Sequence, residues 1–103
     1  MYKLCYFVPV DYAEATKAAI FAAGGGKIGD YDCCAWQVLG QGQFRPLAGS
    51  QPFIGEQGEI ERVEEYRVEM VCSDGLIVPA LKALKQAHPY EEPAYEVYRL
   101  EEM

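Results

Sequence analysis

Residues 2–9, YKLCYFVP, are apolar on both faces of an extended chain. Tyr2, Leu4, Tyr6 and Val8 alternate on one side, and Cys5 and Phe7 make the other side apolar as well. Period-two alternation predicts a strand, and a strand greasy on both faces belongs in the middle of a sheet that is covered twice. That constraint excludes a helical bundle and calls for further strands on either side. The rest of the chain supplies them in a definite order.

Asp11 is placed to cap a helix, and Glu14, three residues on, completes a capping-box-like pair. Ala15, Ala18, Ala19, Ala22 and Ala23 recur at helical spacing and predict a small-residue face that lies close to the sheet. Gly24-Gly25-Gly26 ends that helix. Residues 33–39 (CCAWQVL) read as a second strand and residues 60–72 (IERVEEYRVEMVC) as a third, with a bulge expected where Glu64 and Glu65 disturb the alternation. Between them, residues 40–58 are rich in glycine and proline. They read as a long ordered loop, because Phe44, Leu47, Phe53 and Ile54 give it something to bury. Ser73 or Asp74 caps a second helix that tolerates Pro79 only in its first turn, with Ile77, Ala80, Leu81 and Leu84 facing inward. Residues 94–100 form the last strand. The order β-α-β-β-α-β predicts an α+β, ferredoxin-like sandwich: one antiparallel sheet, both helices on one face, a single domain over residues 1–103. The uncovered face, with Cys5 and Phe7, predicts a homo-oligomer.

Composition narrows the function classes. The net charge of −7 repels a phosphate backbone, which argues against nucleic acid as a partner. No apolar run approaches a membrane span, and the N-terminus lacks a signal peptide's pattern, so a cytoplasmic location is the default expectation. Four cysteines without a C-x-x-C pair are then expected to be reduced, with no zinc ribbon. Gly24-Gly25-Gly26-Lys27-Ile28-Gly29 fits G-x-G-x-x-G literally, but a helix precedes it and a strand follows, the reverse of a dinucleotide site. Its free amides with Lys27 leave only an anion contact as an alternative.

The segment Ala87-His88-Pro89-Tyr90-Glu91-Glu92-Pro93-Ala94-Tyr95 holds the single histidine in a corner stiffened by two prolines. Three readings stay open for His88: a dipole-stabilised helix end, a metal ligand with Glu91, Glu92, Cys33 and Cys34 as available partners, or a general base. Adjacent strand residues point to opposite faces, so Cys33 and Cys34 cannot both ligate one ion from a regular strand.

Four spaced runs carry a resemblance: Gly26 to Cys34, Gly40 to Pro46, Gln51 to Gly58, and His88 to Tyr95. Together they resemble the small domain inserted in many bacterial Nif-three-like (GTP cyclohydrolase type 2-like) proteins, a domain that also occurs alone. That domain is similar in fold to the CutA divalent-cation tolerance proteins and to PII-type signalling proteins, which form trimers. The family's two-metal hydrolase site belongs to the larger domain and needs several histidines; this chain has one, so that site is not carried over. The family often has His-Cys where this chain has Cys33-Cys34, and Asn at Gln51; Cys33 then either supplies a softer donor or the site is lost. What the resemblance implies is a non-catalytic, oligomeric module that senses a small ligand or a divalent metal ion, as a trimer in preference to a dimer. The ligand contacts would be Gly26, Gly29, Tyr31, Phe44 and Tyr90, and the metal donors His88, Glu91, Cys33 and Cys34. The 40–58 loop would cover the site or meet a protein partner. A structural interaction module without a small ligand is the alternative, and a small hydrolase using His88 and Glu91 a third.

Overall fold

A computed structural model describes residues 1–103. The elements run β1 (Tyr2–Pro9), α1 (Ala13–Ala22), β2 (Trp36–Phe44), β3 (Glu61–Cys72), α2 (Ile77–Ala87) and β4 (Tyr95–Arg99). Short 3-10 turns, Val10–Tyr12 and Asp74–Leu76, lead into the two helices. The sheet order is β2-β3-β1-β4, antiparallel throughout. This is the ferredoxin-like α+β sandwich, with β1 central as its two-sided apolarity requires.

Leu4, Tyr6 and Val8 of β1 and Val68, Met70 and Cys72 of β3 form the sheet side of the core. Ala13 and Ile20 of α1 and Ile77, Ala80 and Leu84 of α2 form the helix side. The inward face of α2 is therefore the expected one, and Pro79 sits in its first turn. The inward face of α1 is not. Ala15, Ala18 and Ala22 are exposed, and Ala13, Thr16 and Ile20 point inward instead. The reason is area: burial stabilises in proportion to the apolar surface removed from water, and Ile20 offers far more than an alanine row. Thr16 adds a polar latch. Its hydroxyl lies 2.9 Å from the Tyr6 hydroxyl and 2.9 Å from the Tyr12 and Ala13 carbonyls, so it accepts from the sheet and donates back into its own helix. Burial pushes the Tyr6 phenol up to about 12.

Neither helix start uses a side-chain cap. Asp11 and Asp74 fall inside the 3-10 turns and make no capping hydrogen bond. Two further corrections concern β2 and β3. Strand β2 begins at Trp36, not Cys33, and continues through Gly40–Phe44, which sequence pattern assigns to a loop. Those residues pair in unbroken register with Glu61–Glu65, from Gly40 opposite Glu65 to Phe44 opposite Glu61. No bulge occurs at Glu64-Glu65. The ladder is satisfied by backbone groups alone, so a glycine- and glutamine-rich stretch joins it once β3 is alongside. The β2–β3 hairpin extends past the helices, which gives the molecule its 46 × 24 × 24 Å shape.

On the face away from the helices Cys5 is fully buried, and burial raises its thiol pKa. Its cross-strand neighbours are Glu69 and Glu96. Around it, exposed Trp36, Val38 and Tyr98 alternate with charged side chains, including Lys3 and Arg67 paired to Glu69 at 3.9 and 3.6 Å. The face is mixed, not uniformly apolar.

Candidate functional site

Strand β4 starts opposite Tyr6, so β1 runs past it. Phe7 there needs partners for both backbone groups. Its N–H donates to the Ala94 carbonyl at 3.1 Å. Its carbonyl accepts from His88 Nε2 at 2.7 Å, while His88 Nδ1 accepts the Tyr90 N–H at 3.1 Å. Both contacts are satisfied at once by one neutral tautomer, protonated on Nε2. His88 itself caps α2, its N–H bonded to the Leu84 carbonyl at 2.9 Å, and its extended backbone is what Pro89 demands of the residue before it. The ring is 6% exposed, and burial lowers its pKa against the opposing pull of the Phe7 carbonyl. His88 is thus a substitute strand partner that fixes the corner.

The corner so held presents Tyr90, Glu91 and Glu92 to a cavity of about 280 Å³. Phe7, Gln43, Phe44 and Glu65 come from the sheet, and Pro46, Ser50, Pro52, Phe53 and Ile54 from the loop between β2 and β3. That loop is folded on itself: the Gly58 N–H reaches the Pro46 carbonyl at 2.8 Å and Gln57 Nε2 the Ser50 carbonyl at 3.0 Å. It is tied to the corner by the Gln51 N–H, which donates to Glu91 Oε1 at 2.9 Å. Phe53 packs edge-on against Tyr12 at 5.6 Å and tilted against Tyr90 at 6.4 Å; Phe44 meets Tyr90 at 5.8 Å. Such ring pairs add to simple area burial.

Two polar groups inside are unusual. Glu65 lies across the strand backbone at Gly42, where a Cβ would collide with its carboxylate. Burial raises its pKa, and the nearby Tyr90 hydroxyl pulls it part of the way back. The Tyr90 hydroxyl is buried beside this carboxylate, close enough for each to shift the other's proton though outside ideal hydrogen-bond geometry. It feels the Glu65 charge without being aligned to it, and burial, then Glu65, pushes the phenol up to about 12.

Of the residues singled out from the sequence, Phe44, Tyr90 and Glu91 meet here, with His88 directly behind them. Gly26, Gly29, Tyr31, Cys33 and Cys34 do not. The Gly26 N–H bonds the Val71 carbonyl and its carbonyl accepts from the Cys34 N–H, both at 2.8 Å. Val71 pairs with Lys3, four residues along β1 from Phe7, which is roughly 13 Å. Gly26 is a chain crossing, and Tyr31 is 73% exposed. Cys33 is exposed in a turn with φ of 54°, outside any strand, so the alternating-face argument does not apply to it. Within one copy, no three His, Cys, Asp or Glu side chains gather to hold a metal ion. His88 also has no free nitrogen for one. The donor set His88, Glu91, Cys33 and Cys34 is therefore not assembled in a single chain. Phe7 and Glu65 have no site role in the sequence pattern, and Phe53, which reads there as a loop anchor with a stacking pocket as the alternative, forms the roof. The visible signals were the Glu64-Glu65 doublet and the Gly40-x-Gly42 spacing, which together mark a strand crossed by its neighbour's side chain.

Fold and cavity define a CutA/PII-like sandwich with a roofed pocket at one end of its sheet. Comparison with solved structures supports the fold: CutA1 from Pyrococcus horikoshii has a TM-score of 0.70 at 17% identity, covering all of this chain and 86% of that one. The PII-like protein CutA from Nostoc gives 0.69 at 16%, covering 97% and 81%. The sequence relatives are of another kind. A Bacillus cereus protein related to NIF3 matches 98% of this chain at 42% identity with a TM-score of 0.84. The GTP cyclohydrolase 1 type 2 homologs of Mycobacterium tuberculosis and Bacillus subtilis match 95% and 97% of it at 47% and 45% identity. This chain is similar over nearly its whole length to the NIF3-related proteins, and it spans about a quarter of the length of those relatives, 26% and 27%. No family model matches it.

Proposed function

We propose that this chain is a small-ligand-binding module whose site is the cavity between the β1–β3 sheet end, the His88 corner and the roof loop. One observation carries the reading: a long loop folds back over one side of an aromatic and acidic cleft and is fastened there by the Gln51–Glu91 hydrogen bond. A loop whose only task were to connect two strands would need a few residues. The names of the fold neighbours, divalent cation tolerance protein and PII-like protein, fit a binding role, and we extend that role to this chain as a proposal. The whole-length relatives' activity is not part of it. A divalent ion would need donors from a second copy, since one copy gathers no such cluster.

Ligand-observed NMR with a fragment set, run on wild type and on Phe53→Ala, tests the proposal. Saturable binding that weakens tenfold or more in Phe53→Ala supports it. Binding unaffected by loss of the roof ring would place the ligand elsewhere and end the proposal.

The second reading is an assembly module, and the face bearing Trp36 (59% exposed), Val38 (45%) and Tyr98 (47%) favours it. We propose a homo-oligomer, a trimer in the first instance, formed through this face. Light scattering of Trp36→Glu would show a drop in mass with the circular dichroism spectrum kept; an unchanged mass would remove the face from the interface.

A further inference from the structure

Resting on the proposed binding role, we infer that the cavity takes a small organic cation, an ammonium carrying a flat apolar group. Three carboxylates, Glu65, Glu91 and Glu92, line it, and no Lys, Arg or His does. Arg45, between the lining residues Phe44 and Pro46, is exposed, and Arg67 lies behind Phe7. Arg67 sits 6.0 Å from the Phe7 ring and pairs with Glu69 at 3.6 Å on the outer face. An anion entering here would meet three carboxylates and no lining cation, which disfavours it.

A bare metal ion fits poorly. It wants several oxygen or nitrogen donors converging on one point, and no three acidic, His or Cys side chains converge. Glu91 is moreover engaged by the Gln51 N–H. An organic ammonium asks for less: one or two carboxylates for its charge and ring faces for the rest. Phe44, Phe53 and Tyr90 supply the rings, mutually 5.8 and 6.4 Å apart about Tyr90. The Tyr90 hydroxyl, beside Glu65, keeps a lone pair to accept an ammonium N–H while its own proton turns towards that carboxylate. The volume of about 280 Å³ holds a ligand of roughly one ring and a short arm.

The test uses three probes of one shape and different charge: benzylammonium, benzyl alcohol and benzoate. Each is titrated into the ¹⁵N-labelled chain and followed by amide shifts, on wild type, Glu65→Gln and Tyr90→Phe, with the unperturbed spectra checking the fold. The expected result is saturable binding of benzylammonium with shifts at Phe44, Phe53 and Glu91, at least tenfold weaker binding of benzyl alcohol, and none of benzoate. Glu65→Gln should cost benzylammonium tenfold or more and leave benzyl alcohol unchanged. If benzyl alcohol binds the same amides as tightly, the cation inference fails while the binding pocket stands. If none of the three moves these amides, both fail. If Mn²⁺ broadens them selectively and benzylammonium does not shift them, the site is a metal site and the inference is overturned.

Discussion

Replacing His88 tests whether the corner is held by the imidazole. In His88→Ala the Phe7 carbonyl loses its 2.7 Å donor and the Tyr90 N–H its 3.1 Å acceptor. Each orphaned group costs on the order of 1 kcal/mol, at the low end of the usual range because Phe7 and Tyr90 are only half-buried. Removing a ring that is 6% exposed and packed 5.0 Å from Tyr90 adds about 1 kcal/mol more. The expected loss is therefore about 3 kcal/mol, or a fall in Tm of about 14 °C for a chain of this length. Single-function replacements separate the two bonds. His88→Gln places an amide N–H near Nε2 and should keep the Phe7 bond; His88→Asn places a carbonyl near Nδ1 and should keep the Tyr90 bond. Each is expected to recover about a third of the loss. Urea melts followed by tryptophan fluorescence and circular dichroism give the values. A loss below about 1 kcal/mol in His88→Ala would refute the reasoning. So would a wild-type midpoint that falls on adding a chelator, since His88 would then be holding a metal.

Other expectations follow from the same geometry. His88 has its pKa lowered by burial, so its contribution is full above the unfolded value of 6.5 and is lost as pH falls through the lower folded value. The stability gap between wild type and His88→Gln should accordingly narrow below pH 6.5, and a gap that widens would contradict the neutral tautomer. Glu65 works the other way: its raised pKa favours folding at pH below 4.5, and that contribution fades as pH rises through the folded value, an effect that Glu65→Gln should abolish in pH-dependent urea melts. Gly42→Ala should displace the Glu65 carboxylate, the mobile end of a side chain, at a cost under about 1 kcal/mol, yet weaken benzylammonium binding tenfold; equal binding would remove Glu65 from the site. Gly26→Ala should cost more than about 2 kcal/mol, because φ is +73° and the new Cβ would lie 2.6 Å from the Phe21 ring and 2.9 Å from the Cys34 carbonyl. Gly29→Ala, at φ +55° with open space around it, should cost about 1 kcal/mol, and similar losses for the two in calorimetry would defeat this account.

What the sequence determined alone is what depends on neighbours in sequence. Side-chain alternation identified β1 as the central strand, helical spacing picked out Ile77, Ala80 and Leu84 as the inner face of α2, and Gly24-Gly25-Gly26 and Pro89 marked the helix ends. The β-α-β-β-α-β order then left few topologies, and the ferredoxin-like one is what forms. Where side chains of unequal size compete for the core, local pattern was a weaker guide: the alanine stripe of α1 points outward because Ile20 has more surface to hide. The extension of β2 through Gly40–Phe44 was invisible for a related reason, since its ladder is made by backbone groups that every residue carries. The corner itself was legible as a stiff turn bearing His88, Tyr90 and Glu91. Its use was not. His88 bonds a carbonyl 81 residues away, the Gln51 amide reaches a carboxylate 40 residues away, and Glu65 crosses a strand whose glycine leaves room for it. Contacts over such separations leave no period in the sequence. The sheet register alone brings Phe7, Phe44, Glu65 and Tyr90 to one cavity and leaves Cys33 and Cys34 at the other end.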